Sequence, residues 1–397
     1  MKICFINNFY PPQVKGGAEK VIARMVEILK IEHSLTVITL ASVDEAPSCR
    51  QEEGVTVYRL FGENIYHLWN SAQSSVFKKI IWHLKNLNNR SLIRRVKEIM
   101  AKEKPDLIIT GNLMGLSMNL AMVLSQTGYV VAHYLFDYQL IDPYGTLFRR
   151  DRCLITLPWY LELYRALISF YFKKVKACLA PSQFIIKKHQ DWGFFNNKLV
   201  RQLTSPIVDL PLSSKILVDV SLPLRLVYVG QIEPTKGIDF LLEALVAWPI
   251  NNWQLTVIGD GSMLACLRLK YEQDQRINFV GKKLGSQLYE LWQKHQLTVI
   301  PSRWWENFTT VALESYQLGL PVLGSSSGGT PELISVNQTG LIFKAGDKDD
   351  FLKNLEQIFY RPQQLAIWSA FLPEYLKQYQ AASFCRQFAS IVQEIKN

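Results

Sequence analysis

Two glutamates eight residues apart, Glu306 and Glu314, close the stretch Pro301-Ser302-Arg303-Trp304-Trp305-Glu306-Asn307-Phe308-Thr309-Thr310-Val311-Ala312-Leu313-Glu314. A carboxylate accepts from vicinal hydroxyls more strongly than a neutral group does, so such a pair suits a polyol. The apolar run 297–300 precedes the stretch and Gly319 ends it, which predicts strand, loop and helix. With Asn307 as N-cap, the backbone N–H groups of Phe308, Thr309 and Thr310 are left to bind a polyol or a phosphate. At helical rise the two carboxylates stand about 12 Å apart, roughly the span of a hexose and a neighbouring ribose. A plainer account fits the same residues: Glu306 complements the helix dipole and Glu314 is an exposed helix residue.

Other residues could do chemistry at strand-to-helix turns. The apolar strand 224–230 runs into Gln231-Ile232-Glu233-Pro234-Thr235-Lys236-Gly237. A lysine delivered there can neutralise a departing diphosphate, although an ordinary surface lysine has the same signature. Gly16 and Gly17 lie between a first strand at residues 2–6 and a helix bearing Val21, Met25 and Ile28. They let backbone approach an anion closely, or simply make a tight turn. Further glycine turns stand at Gly259-Asp260-Gly261, at Gly281 beside Lys282, and at Gly328-Gly329-Thr330-Pro331-Glu332, where Gly329 and Thr330 could bring N–H groups to a phosphate. His133 ends a strand with Asp137 four residues on; a lone histidine of this kind is more often structural than catalytic. Asp347, Asp349 and Asp350 read as the acidic first turn of a helix rather than a metal site.

The elements that must hold these residues alternate strand and helix from the N-terminus onward, with strands expected at 35–40, 55–60, 107–110 and 129–133. That alternation implies doubly wound, mostly parallel sheets, whose ligands bind beyond the carboxyl ends of the strands. At 397 residues the chain is long enough for two such domains, and 48% hydrophobic with 20% charged residues makes it globular. Six scattered cysteines with no C-x-x-C pair argue against a zinc site or a disulfide framework. The N-terminus turns polar too early for a signal peptide, and the aromatic run 154–172 is broken by Pro158, Glu162 and Arg165, so a cytoplasmic protein is expected.

The charge is uneven. Of a net +10, residues 1–205 hold 27 Lys and Arg against 16 Asp and Glu, while residues 206–397 hold 17 against 18. An anionic partner for the first half follows: a membrane surface, an anionic acceptor or, least favoured because no recognised module accompanies it, nucleic acid. The basic, apolar stretch 76–100 suits either an interfacial helix or an ordinary helix with a basic solvated face. A second aromatic and basic segment, 148–176, could wall an acceptor pocket or form core.

Taken together, Pro-Ser followed by Glu306-x7-Glu314, Gly319-Leu320-Pro321-Val322, the 328–332 turn and the 230–237 turn resemble the family 4 retaining nucleotide-sugar glycosyltransferases. That resemblance implies the α/β GT-B fold, two Rossmann-like doubly wound domains facing across a cleft. Residues 1–205 would bind the acceptor, 206–374 the nucleotide sugar, and a helix at about 375–397 would pack back on the first domain. It further implies that Glu306 and the N–H groups of Asn307, Phe308 and Thr309 hold the hexose, Glu314 the ribose, and Lys236 the diphosphate. Gly16 and Gly17 would face the donor phosphates, residues 281–283 (Gly281, Lys282) the nucleobase, and His133 the reacting sugar. The family commonly has arginine where this chain has Gln231, so one cationic donor contact is replaced by a neutral one.

The function implied is transfer of a hexose from a UDP- or GDP-sugar to an acceptor hydroxyl, with retained configuration and no metal or other cofactor. Polysaccharide or glycolipid assembly at the inner membrane face is the expected setting. A GT-B nucleotide-sugar epimerase and a catalytically silent nucleotide-sugar-binding protein are the alternatives.

Overall fold

The computed structural model describes residues 1–14, 16–62, 64, 65, 68, 75–207, 210, 221 and 223–396, with Val76 described by its backbone alone. The chain divides into two compact units: residues 1–147, 156–206 and 381–397 form the first, residues 148–155 and 207–380 the second.

The first unit contains β1 (Lys2–Ile6), α1 (Gly17–Leu29), β2 (Ser34–Leu40), β3 (Ser48–Glu52), β4 (Val55–Leu60), α2 (Val76–Leu87), α3 (Arg90–Glu103), β5 (Leu107–Thr110), α4 (Leu120–Gln126) and β6 (Val131–Tyr134). After the two-stranded ribbon β7 (Phe148–Arg149) and β8 (Arg152–Cys153), which belongs to the second unit, it resumes with α5 (Trp159–Phe172), β9 (Ala177–Ala180), α6 (Gln183–Asp191) and β10 (Leu199–Gln202). Its sheet runs in the order β10-β9-β6-β5-β1-β2-β4-β3. Only the β3–β4 pairing is antiparallel, and β3 is a largely exposed, polar edge, which discourages pairing with another chain. The central strands are nearly continuous apolar runs because helices cover both faces of a parallel sheet.

The second unit contains β11 (Leu224–Val229), α7 (Ile238–Val246), β12 (Trp253–Ile258), α8 (Leu264–Lys270), β13 (Ile277–Gly281), α9 (Gly285–Trp292), β14 (Leu297–Ile300), α10 (Thr310–Gln317), β15 (Val322–Ser325), β16 (Gly340–Phe343), α11 (Lys348–Tyr360) and α12 (Gln363–Leu376). Its sheet is wholly parallel in the order β13-β12-β11-β14-β15-β16. The order reverses at β11, so the loops after β11 and β14 diverge at the topological switch point. The acidic triplet is what helix physics expects: Asp347 Oδ1 accepts the Asp350 N–H at 3.1 Å and caps α11.

The last helix, α13 (Ala381–Lys396), returns to the first unit. Phe384, Phe388, Ile391, Val392 and Ile395 lie at a 3.6-residue period and are buried against Val21, Met25 and Leu29 of α1 and the sheet beneath. Each such side chain contributes about 1.5–3 kcal/mol of burial. Two sequence boundaries are corrected here. Pro373 lies inside α12, so the returning helix starts at Ala381 rather than near 375, and residues 148–155 pack with the second unit rather than the first. The units change over at residue 206, beside the expected boundary, and much of the stretch 207–222 that follows falls outside the described residues.

Candidate active site

The site grows from the carboxyl end of β11. There the chain turns through Gln231, Ile232 and Glu233 into a single 3-10 turn, Pro234–Lys236, then into α7. Gly237 between them has φ +67°, and a Cβ on it would lie 2.0 Å from the Pro301 carbonyl oxygen. Only glycine fits, because the turn is pressed onto the loop that follows β14. The N–H groups of Arg303 and Trp304 both donate to the Thr235 carbonyl, at 2.9 and 3.2 Å, and Arg303 Nη1 reaches Asp239 Oδ2 at 3.3 Å.

This docking brings Lys236 to Glu306. Lys236 Nζ donates to Glu306 Oε1 at 2.7 Å and lies 5.0 Å from the centre of the Trp304 ring, a cation–π contact. Ser302 Oγ donates to the same Oε1 at 2.6 Å. Glu306 is buried and Lys236 half-buried, so the charge-assisted bond lies where water screens it little.

The Glu306 backbone is fixed from the other side. Gly329 N–H donates to the Glu306 carbonyl at 2.6 Å. A Cβ on Gly328, at φ +67°, would stand 2.2 Å from both the nitrogen and the oxygen of Glu306. Ser325 Oγ donates to the Ser302 carbonyl at 2.7 Å, and Ser327 Oγ donates to the Trp304 carbonyl. Loops after three neighbouring strands, β11, β14 and β15, therefore hold one residue, the first two at its carboxylate and the third at its backbone. On the far side of β11 the Ile232 N–H donates to the Asp260 carbonyl at 2.8 Å, and Glu233 accepts from Ser262 N and Oγ. Beneath the turn, Tyr228 donates to the Gln231 carbonyl at 2.5 Å; burial first, then the carboxylates of Glu306, Glu233 and Asp239, holds its hydroxyl above the usual phenol range. It remains a protonated donor.

Several expected residues take other places. Helix α10 begins at Thr310 with Thr309, not Asn307, at the cap, so only part of the path from Glu306 to Glu314 is helical and the 12 Å span does not apply. Phe308 packs its ring against the cluster containing Ile207, Leu313 and Tyr316, which leaves its backbone alone for a ligand. Thr309 Oγ1 is 2.8 Å from Thr330 Oγ1, joining the two loops. Asn307, Thr309 and Glu314 are all buried, against the reading of Glu314 as an exposed residue. Gly329, expected to offer its N–H to a phosphate, gives it to Glu306 instead. Gln231 is exposed five residues before Lys236 on the same loop. Gly281, at φ +72°, ends β13 and accepts from Gly259 N–H at 3.1 Å, with Lys282 exposed next to it.

His133 is corrected outright. It is the next-to-last residue of β6, at the strand end as expected, but it is 1% exposed. Its ring packs edge-on to Phe172 at 4.7 Å and along Phe195 at 6.4 Å, while Nδ1 lies 2.9 Å from Thr110 Oγ1. Burial pulls its pKa down to about 3, helped by His189, so it is a neutral core group. Gly16 and Gly17 are at the start of α1, where Gly16 N–H donates to Glu19 Oε2 at 2.8 Å. A Cβ on Gly17 would meet nothing within 4 Å. Sequence reasoning used Ser302 only as part of the Pro-Ser motif and did not single out Ser325 and Ser327; the only signal of those two was small polar residues beside a strand end.

Two doubly wound α/β units, the second carrying a lysine–glutamate pair at its switch point, define the GT-B glycosyltransferase fold, and solved structures agree. Sucrose-phosphate synthase (tll1590) from Thermosynechococcus elongatus superimposes with a TM-score of 0.77 over 99% of this chain and 98% of that one, at 16% identity. Anabaena Alr3699/HepE in complex with UDP-glucose gives 0.70 over 99% and 100%, at 15% identity. Residues 219–370, which carry Lys236, Glu306 and Gly328, match the model of the glycosyl transferases group 1 family. An uncharacterized 42.6 kDa protein in the cps region of Klebsiella pneumoniae is 25% identical over 336 residues, 84% of this chain and 87% of that protein.

Proposed function

We propose that this protein is a retaining glycosyltransferase that moves a hexose from a nucleoside diphosphate sugar to an acceptor hydroxyl. The observation that carries this reading is Lys236 held on Glu306, whose backbone Gly328 and Gly329 fix at the carboxyl ends of β11 and β14. Lys236 shifts its hydrogen bond toward the leaving diphosphate, where negative charge grows. Glu306, with the N–H groups of Asn307, Phe308 and Thr309, orients the hexose hydroxyls, and Glu314 takes the ribose. Gly281 and Lys282 border the nucleobase. UDP-glucose in the HepE complex is what supports a nucleotide sugar as partner.

In the proposed reaction the bond from the anomeric carbon to the diphosphate oxygen breaks, and the acceptor oxygen bonds to that carbon on the same face. The acceptor proton passes to the departing phosphate oxygen. Lys236 supplies the positive charge this requires, so the reaction proceeds without a divalent cation. The relative encoded in a cps region supports polysaccharide or glycolipid assembly as the setting. The positive excess of residues 1–205 is the reason to place the protein peripherally on the inner face of the cytoplasmic membrane. Among the described residues no helix is long and apolar enough to cross a bilayer.

The test is to incubate the purified protein with UDP- and GDP-sugars, acceptor panels and excess EDTA, following nucleotide release and the anomeric configuration of the product by NMR. An α product from an α-linked donor, undiminished by EDTA, is expected. An inverted product, or a nucleotide sugar altered without any acceptor, would overturn the proposal.

A further inference from the structure

Two helices of the first unit carry their apolar stripes on the outside. In α5, Trp159, Tyr160, Leu163, Leu167 and Phe170 share one face and are all exposed, Trp159 by 75% and Leu163 by 65%, while Leu161, Ile168 and Phe172 are buried on the opposite face. In α2, Phe77, Ile80, Ile81 and Leu84 follow the i, i+3, i+4, i+7 spacing of a core stripe, yet Phe77 is 71% and Leu84 63% exposed, and Trp82 with Asn86 face inward instead. An amphipathic helix normally turns that stripe to the core. Scattered apolar side chains on a surface need no explanation, but two ordered stripes do.

From these we infer that α2 and α5 are a docking surface for an anionic lipid bilayer, which holds the acceptor-binding end of the first unit against a membrane-borne acceptor. The charge beside each stripe selects this occupant. Exposed Lys78 and Lys85 flank the α2 stripe, and exposed Lys173 and Lys174 follow Phe170 at the end of α5. Helix α2 contains no acid, and the one acid of α5, Glu162, is paired with Arg165 Nε at 2.8 Å. Arg90, Arg94 and Lys97 on the next helix, against the single acid Glu98, line an open groove of about 630 Å³. Lysine is depleted from protein–protein interface cores, whereas apolar anchors edged by lysine, with Trp and Tyr among them, match a headgroup region.

Both helices are tied to loops at the ligand-binding end of the sheet. Asn86 Oδ1 accepts Gly115 N–H at 2.8 Å and its carbonyl accepts Met118 N–H at 2.9 Å, both in the loop after β5. Tyr164 donates to the Gln139 carbonyl at 2.8 Å, in the loop after β6. Docking therefore positions the carboxyl ends of β5 and β6 at the lipid surface. The acceptor part of this inference rests on the proposed glycosyltransferase reading; the docking part does not.

Flotation of the full chain with phosphatidylcholine vesicles, with and without about 30% phosphatidylglycerol, tests it without any nucleotide sugar present. Binding to the anionic vesicles is expected, strong at low salt and reduced but still measurable at high salt. L163S/F170S and I80S/L84S, all at exposed positions, should each weaken partition by at least about tenfold with an unchanged melting temperature and unchanged UDP binding. K173E/K174E should abolish mainly the salt-sensitive component. Wild-type affinity in the serine variants would overturn the inference. So would a wild-type dimer that those variants convert to monomer without loss of vesicle binding, which would assign the stripes to a second copy of the chain. A protein that docks on vesicles yet transfers no sugar retains the docking surface and sinks the activity; transfer to a soluble acceptor with no vesicle binding does the reverse.

Discussion

Lys236 Nζ and Glu306 Oε1 meet at 2.7 Å although 70 residues separate them in the chain. Their bond depends on two close approaches, Gly237 on Pro301 and Gly328 on Glu306, neither of which tolerates a Cβ. The backbones of both residues are thus fixed, and only rotation of the Lys236 side chain can move its Nζ from Glu306 to a ligand.

Lys236→Ala should lower kcat/KM for the nucleotide sugar by about 10²–10³, the loss usual when one donor to a developing negative charge is removed. It also leaves the Oε1 of the buried Glu306 carboxylate with the Ser302 hydroxyl but without the lysine, costing about 1–3 kcal/mol in denaturant unfolding. Lys236→Arg should recover part of the activity. Equal activity in Lys236→Ala and wild type would remove the lysine from the mechanism.

Gly328→Ala and Gly17→Ala form a matched pair. The first forces a left-handed φ and a 2.2 Å clash with Glu306, so a loss of at least about 2 kcal/mol and of most activity is expected. The second meets open space and should leave the melting temperature unchanged. Any activity that Gly17→Ala loses then reports a ligand at the start of α1, which steady-state kinetics on the two variants would reveal.

Gln231→Arg places a cation on the loop that delivers Lys236. Because Gln231 is exposed, stability should stay within about 0.5 kcal/mol, and KM for the donor should fall about three- to tenfold through an added charge-assisted bond. A rise in KM would show that the neutral amide is what this donor requires.

Buried neutral histidines set an acid limit. Burial holds His133 at about 3 and His189 at about 4, against 6.5 for the ordinary imidazole. Between about pH 6.5 and pH 4 the unfolded chain takes up protons that the folded chain refuses, so stability is lost as pH falls through that window, on the order of a few kcal/mol. Melts at pH 7 and pH 5 should show the drop, and His133→Gln should reduce it. An identical pH slope in the variant would contradict the burial argument.

The strands were legible because fully buried parallel strands are short apolar runs: residues 107–110 and 297–300 are strands as read. Glycine turns at strand ends were legible as turns, but their partners were not. Nothing local tells whether a glycine N–H faces a ligand or, as Gly329 does, another loop. Asn307 is a good cap by type, yet Gly328 and Gly329 hold the chain at Glu306 and Phe308 is drawn into packing, so the cap and the helix start two residues later. His133 has the composition of a strand-end site residue, and only the register of β6 between β5 and β9 places it inside. The α5 stripe is apolar by composition; which way it faces is a property of the fold.

The return of Ala381–Lys396 to the first unit also orders events at the ribosome. Five buried side chains of that interior, Phe384 to Ile395, are synthesised after the entire second unit. Domains generally fold as units from the N-terminus during synthesis, but here the leading half must wait with an open groove while the trailing half emerges and can already collapse. Nascent chains arrested near residue 380 would therefore expose the α1 face to chaperones, and maturation of the first half would follow the emergence of Ala381–Lys396 rather than precede that of the second unit.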